Sequence, residues 1–178
     1  LLKFRIFYCM VRAMVMLAGV AHLQVRKINH GRTDKLMAYE YPCKILRIVD
    51  GDTVDVDIDL GFGVWMHKER VRIMGIDTPE SRTRDLTEKA FGLAAKEFVK
   101  LMMPIGSMQM IKTEKDKTGK FGRVLGDFLF DEKRLTEIMI EENHAVPYFG
   151  GSKDETQAAH MANREILLEK GLVTLGEL

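Results

Sequence analysis

The sequence predicts an α+β fold, a small five-stranded Greek-key barrel of OB type accompanied by three helices. Three observations lead there. One stretch alternates strictly with period two, a later one is apolar at helical spacing, and the elements run β-β-β-α-β-β-α-α. The chain has 178 residues, a length that suits one domain. A body of that size buries roughly 68–70% of the surface its unfolded chain exposes and needs no covalent staples.

The elements follow in order. Residues 22–40 are polar, lack a period and read as a linker. Cys43 to Val49 is β-rich, and Asp50-Gly51 after it favours a tight hairpin turn. Thr53 to Leu60 is the clearest strand. Val54, Val56, Ile58 and Leu60 fall on one face, and Asp55, Asp57 and Asp59 on the other. Gly61-Phe62-Gly63 opens a longer loop around Trp65, and a third strand from about Arg70 to Ile76 completes a meander. Thr87 to Met103 places Phe91, Ala94, Ala95, Phe98, Leu101 and Met102 at helical spacing. Strands are expected at Met108 to Lys112 and Val124 to Phe130, joined by a lysine-rich loop. Helices are expected at about Leu135 to Asn143 and Asp154 to Lys170, with Gly171 suited to end the second.

Charge divides the chain. It holds 27 Lys+Arg and 26 Asp+Glu, a net of +1. Residues 1–36 contribute seven bases and one acid, so the remainder holds 20 bases and 25 acids and is net −5. Two cysteines, Cys9 and Cys43, make no disulfide framework, and the five histidines show no zinc-ligand spacing. No apolar run reaches the ~18–20 residues of a membrane span. Ala13 to Ala21 reads either as a short signal-peptide core, which would mean secretion, or as an unstructured leader of a cytoplasmic or phage-encoded protein. The expected organisation is a leader over 1–40 and one domain over 41–178.

Three pieces carry chemistry. Asp52 shares parity with the core-facing residues of its strand, where a carboxylate wants a cation; its other reading is an ordinary turn residue. The run from Arg70 through Arg72 to Asp77-Thr78-Pro79-Glu80 ends a strand in a carboxylate, and Pro79 stiffens the exit. Two carboxylates held close by a rigid turn repel unless a positive charge lies between them. A hard divalent cation would serve, and so would Arg72. The third piece is Lys115-Asp-Lys117-Thr-Gly119-Lys120-Phe121-Gly122-Arg123. Its glycines and cations suit a phosphate, or it is an ordinary solvated hairpin loop.

Together these pieces resemble the staphylococcal nuclease family. The resemblance rests on Val49-Asp50-Gly51-Asp52-Thr53-Val54, on Arg72 with Ile76-Asp77-Thr78-Pro79-Glu80, on Lys120-Phe121-Gly122-Arg123, and on the helix opening Glu88-Lys89-Ala90-Phe91-Gly92. It covers about residues 41 to 172. It implies a calcium ion held by Asp52, Asp77 and the Thr78 carbonyl. It implies Glu80 as the base or the group orienting the attacking water, and Arg72 and Arg123 as phosphate-binding catalytic arginines. The implied activity is endonucleolytic hydrolysis of DNA and RNA, single-stranded or locally unpaired, leaving 3′-phosphate ends. Lys120, Phe121 and Tyr148 are the implied nucleic-acid contacts, and a monomer without membrane attachment is expected.

The sequence departs from the family at Phe121, where a tyrosine is common, and in the length of the loops 61–68 and 81–87. Asp55-x-Asp57-x-Asp59 is not a calcium loop. The required glycine and glutamate are replaced by Leu60 and Met66. Two rival classes are a non-catalytic nucleic-acid-binding OB module and a calcium-binding structural domain. The first has no need for the full set Asp52, Arg72, Asp77, Glu80 and Arg123, and the second leaves both arginines without a role.

Overall fold

The structure is a computed structural model describing residues 39–118, 122–131, 133–150 and 153–175. The expected leader and two of the expected nucleic-acid contacts, Lys120 and Phe121, lie outside the described residues, as do the side chains of Lys115 and Lys117.

Strands β1 (Glu40–Asp50), β2 (Thr53–Asp59) and β3 (Trp65–Ile73) form the expected antiparallel meander. β4 (Ile76–Asp77) is short, and helix α1 (Leu86–Met102) follows. β5 (Met108–Thr118) pairs with β1 and with β6 (Val124–Phe130), both antiparallel. A parallel pairing of β3 with β6 closes the ring into a five-stranded mixed barrel. Two-residue strands β7 (Lys133–Arg134) and β8 (Val146–Pro147), helix α2 (Leu135–Glu141) and helix α3 (Lys153–Glu169) complete the order. Among the described residues the fold is the expected α+β barrel with three helices.

Alternation fills the barrel. Val54, Val56 and Ile58 of β2 are at most 2% exposed, and Cys43, Ile45, Val71, Ile73, Ile111 and Phe128 join them from the other strands. The Cys43 thiol is buried there, which pushes its pKa up to about 12. β1 switches parity between Ile45 and Ile48 through an irregularity in its pairing with β2, so Arg47 faces out to Asp55 at 2.9 Å. Asp55 also takes Arg70 at 2.7 Å, which makes the wet face of β2 an ion-pair ladder.

Several boundaries differ from expectation, and β1 starts at Glu40, within the stretch expected to be a linker. The connection after β2 is tight rather than long. The Leu60 amide donates to the Val64 carbonyl and the Val64 amide to the Gly61 carbonyl, Gly61, Phe62 and Gly63 all turn at positive φ, and β3 starts at Trp65. Leu60 therefore lies beyond the last rung and is 40% exposed, not a core residue. The third strand ends at Ile73, because Gly75 turns at φ 77 and sends Ile76 and Asp77 to pair with β8 instead. β5 runs six residues further than expected, to Thr118, which after an irregularity beyond Thr113 pairs again with Val124 of β6.

The helices dock on this frame. Asp85 caps α1 by accepting from the amides of Thr87 and Glu88. Asp127 of β6 accepts from the Thr136 hydroxyl at 2.6 Å and starts α2. Gly171 at φ 65 ends α3 with paired bonds, Leu172 to Leu167 and Gly171 to Leu168, as its position suggested. Leu167 and Val173 pack on Phe91 of α1 in a second small core.

Candidate active site

The site is built where β2 and β3 begin and end together. Thr53 stands opposite Arg72 in the ladder, and the Ile73 amide donates to the Asp52 carbonyl at 2.8 Å. That register delivers Arg72 to Asp52. Nη1 lies 2.5 Å from Asp52 Oδ2, and Nη2 lies 3.6 Å from Asp77 Oδ1. Nη2 also donates to the Ile76 carbonyl at 3.1 Å. Arg72 thus stands between Asp52 and Asp77, whereas the strand-end pattern allowed for it between Asp77 and Glu80. The Thr53 hydroxyl donates to Asp52 Oδ1 at 2.8 Å.

Asp52, Arg72, Asp77, Glu80 and Arg123 line one cavity of about 480 Å³. Asp50, Arg70 and Arg82 line it too. Thr78 is 6% exposed, and Gly51 packs against its side chain. Tyr148 lies in a neighbouring cavity of about 740 Å³ with Arg72 and Phe149, so the two cavities share Arg72.

Electrostatics follow from crowding four carboxylates together. Burial raises the Asp52 pKa above the ordinary carboxylate value; Arg72 and the Thr53 hydroxyl pull the other way, and Asp50 and Asp77 add to the rise. Glu80 sits at the rim and is exposed. Partial burial of its carboxyl, and then the charges of Asp50, Asp52, Glu88 and Asp77, raise its pKa as well. Both effects would be relieved by a cation among these groups. Each donor is an oxygen, which suits a hard cation with flexible geometry. Among the described residues no three His, Cys, Asp or Glu side chains converge on one point. Asp52 turns to Arg72, and Asp77 Oδ2 turns to His160 Nε2 at 3.0 Å.

A family comparison joins this geometry. The sequence pattern described as staphylococcal nuclease homologue matches residues 70–170, more than half of the chain. The chain belongs to that family. The match includes Arg72, Asp77, Thr78, Glu80, Arg123 and Tyr148 and begins after Asp52, which the β2–β3 register supplies to the same cavity. Among curated proteins the chain is 28% identical over 134 residues to a thermonuclease of Staphylococcus hyicus, covering 71% of this chain and 74% of that one. It is 33% identical over 100 residues to a thermonuclease of Staphylococcus intermedius, covering 52% and 54%. An uncharacterized protein of Bacillus anthracis matches at 28% over 103 residues, 58% of this chain and 45% of its own length. The chain thus spans about half the length of two of these three relatives.

Sequence reasoning missed three contributors. Arg70 was legible, since it lies two residues from Arg72 on the same strand face. Asp50 gave less signal, because its carboxylate reads as part of the turn and accepts from the Gly51 amide at 3.1 Å. His160 gave no signal at all, lying 83 residues from Asp77.

Proposed function

We propose that this member of the staphylococcal nuclease family is a calcium-dependent endonuclease that hydrolyses phosphodiester bonds of DNA and RNA and leaves 3′-phosphate ends. What supports the reading is the convergence of Asp52, Arg72, Asp77, Glu80 and Arg123 on one cavity. A module that only binds nucleic acid has no use for an exposed carboxylate of raised proton affinity sharing a cavity with two guanidinium groups.

Asp52, Asp77 and the Thr78 carbonyl would hold the calcium ion, with water completing its shell. When bound, calcium supplies positive charge that offsets the acidic cluster and the charge gathering on the phosphate oxygens. Arg72 and Arg123 bind the phosphodiester and stabilise the same charge through paired N–H donors. Glu80 accepts or directs the proton of the attacking water, and its raised pKa makes it the stronger base. Tyr148 and the neighbouring cavity seat a base by stacking, which is tolerant of sequence and favours unpaired strands. Lys120 and Phe121 are assigned to the same strand contact, and a monomer suffices for all of these roles.

The test is cleavage of single-stranded DNA in calcium, in magnesium and in chelator, with Glu80→Gln alongside. Calcium should support cleavage and chelator abolish it. Glu80→Gln should lose about 10²- to 10⁴-fold in kcat. Wild-type protein that binds DNA but cleaves none under any metal would instead establish the binding-module reading.

A further inference from the structure

We propose that His160 of α3 is a positioning residue for Asp77, an inference that rests on the metal-assisted nuclease reading. His160 Nε2 lies 3.0 Å from Asp77 Oδ2, and the histidine side chain is only 11% exposed. A carboxylate oxygen can only accept, so Nε2 carries the proton and donates it. The two oxygens of Asp77 then have different partners: Oδ2 takes His160, and Oδ1 faces Arg72 Nη2 at 3.6 Å. A carboxylate held at one oxygen keeps its plane and presents the other oxygen to the cavity. Left unheld, a side chain 36% exposed would sample other rotamers.

The helix that carries His160 is itself tied to the strand beside Asp77. Asn163 Nδ2 donates to the Ala145 carbonyl at 3.1 Å. The next residue, Val146, is the ladder partner of Asp77. Leu167, a turn further along, is 2% exposed and packs with Phe91 and Val173. Positions 160, 163 and 167 fall on one helical face. That face grips the Asp77 side chain, the strand paired to its backbone, and the small core beneath. A donor behind a ligating carboxylate is the kind of outer contact whose loss costs about 10- to 100-fold in metal affinity or activity.

The experiment compares the full chain with His160→Ala and His160→Gln, the glutamine keeping an N–H donor on a side chain of similar length. In metal-free protein, ¹⁵N NMR of the His160 ring should show the proton on Nε2. Calcium titration by calorimetry should show about 10- to 100-fold weaker binding for His160→Ala, largely restored in His160→Gln. The KM for single-stranded DNA should be unchanged while kcat falls. A ring proton found on Nδ1, or a folded His160→Ala protein with wild-type calcium affinity and kcat, would overturn the proposal. If His160→Ala fails to fold, a folded His160→Gln protein that binds calcium about 10- to 100-fold more weakly would do the same. Wild-type protein that neither binds calcium nor cleaves would bring down the nuclease reading instead, and the ring NMR would still decide the contact.

Discussion

The two halves of the site are held by different physics. Asp52 and Arg72 belong to the barrel. Their positions follow from the β2–β3 register, the amide of Ile73 on the Asp52 carbonyl and the parallel rung Arg72 to Leu125. Asp77 and Glu80 stand on chain that has left the barrel. A two-residue ladder with β8, one histidine of α3 and the surface of α1 hold them. Cooperative backbone hydrogen bonding secures the first half, and packing of helices secures the second. The first should therefore resist perturbation until the barrel itself yields, and the second should loosen without unfolding.

Removing Arg72 tests the barrel half and should have the largest effect. Asp52 and Arg72 are about equally buried, with side chains 15% and 17% exposed. Arg72→Ala would strand a carboxylate there, at a cost to stability of roughly 3 kcal/mol. It would also remove a donor to the phosphate, worth about 10²- to 10³-fold in kcat. Denaturant melts and steady-state kinetics measure the two. Adding Asp52→Asn should recover much of the stability and none of the activity. Asp77→Asn, on the other half, should change stability by less than about 1 kcal/mol, because that carboxylate is 36% exposed. Equal stability losses from Arg72→Ala and Asp77→Asn would erase the contrast.

Acid tests the helix-borne half. His144 is 4% exposed and packs 4.5 Å from the Phe98 ring, and its Nδ1 has no hydrogen-bond partner among the described residues. Burial, with a smaller contribution from Lys170, lowers its pKa from 6.5 to about 4. The unfolded chain takes up this proton near 6.5 and the folded protein only near 4. Stability from this group is therefore complete above the unfolded value, falls as pH drops between the two, and levels below about 4. The loss should reach roughly 3 kcal/mol at ~1.4 kcal/mol per tenfold change in proton affinity. It should vanish in His144→Phe, as read from melts at neutral and acid pH. Because His144 lies two residues before Val146, the ladder partner of Asp77, hydrogen exchange in acid should quicken at Val146 before it does at Arg72.

How much of this was legible in the sequence follows the same division. The strict alternation of Val54, Val56 and Ile58 against Asp55, Asp57 and Asp59 gave β2, and Val124 to Phe130 gave β6 with its observed bounds. A short motif around Asp52 and a spaced arginine were enough to bring Arg72 to the same place, because hairpin register is a local property. The break at Gly75 was hidden, since the pull of β8 on Ile76 and Asp77 comes from residues some seventy positions away. His160 was hidden for the same reason. Helix packing is a property of distant surfaces, and no window along the chain displays it.

The smallest effect, and the most direct reading of the contrast, comes from two glycines. A Cβ on Gly92 of α1 would lie 2.5 Å from the Glu80 carbonyl carbon, 2.6 Å from its oxygen and 2.6 Å from the Ser81 nitrogen. These are backbone atoms, so either α1 or the chain bearing Glu80 must move. Glycine is here despite its cost of about 1 kcal/mol in a helix interior. Gly92→Ala should lower kcat roughly ten- to a hundredfold by displacing Glu80. KM should change little, because Arg72 and Arg123 ride on or beside the barrel. A Cβ on Gly51, at the barrel end of the site, has its nearest atoms in the side chains of Ala95 and Thr78, at 3.0 and 3.1 Å. Those can shift by tenths of an ångström, so Gly51→Ala should change kcat by less than about threefold. Paired measurements of kcat, KM and melting temperature on both variants decide the matter. Gly92→Ala with wild-type kcat and a higher melting temperature would mean that α1 does not set Glu80, and that both halves of the site answer to the barrel alone.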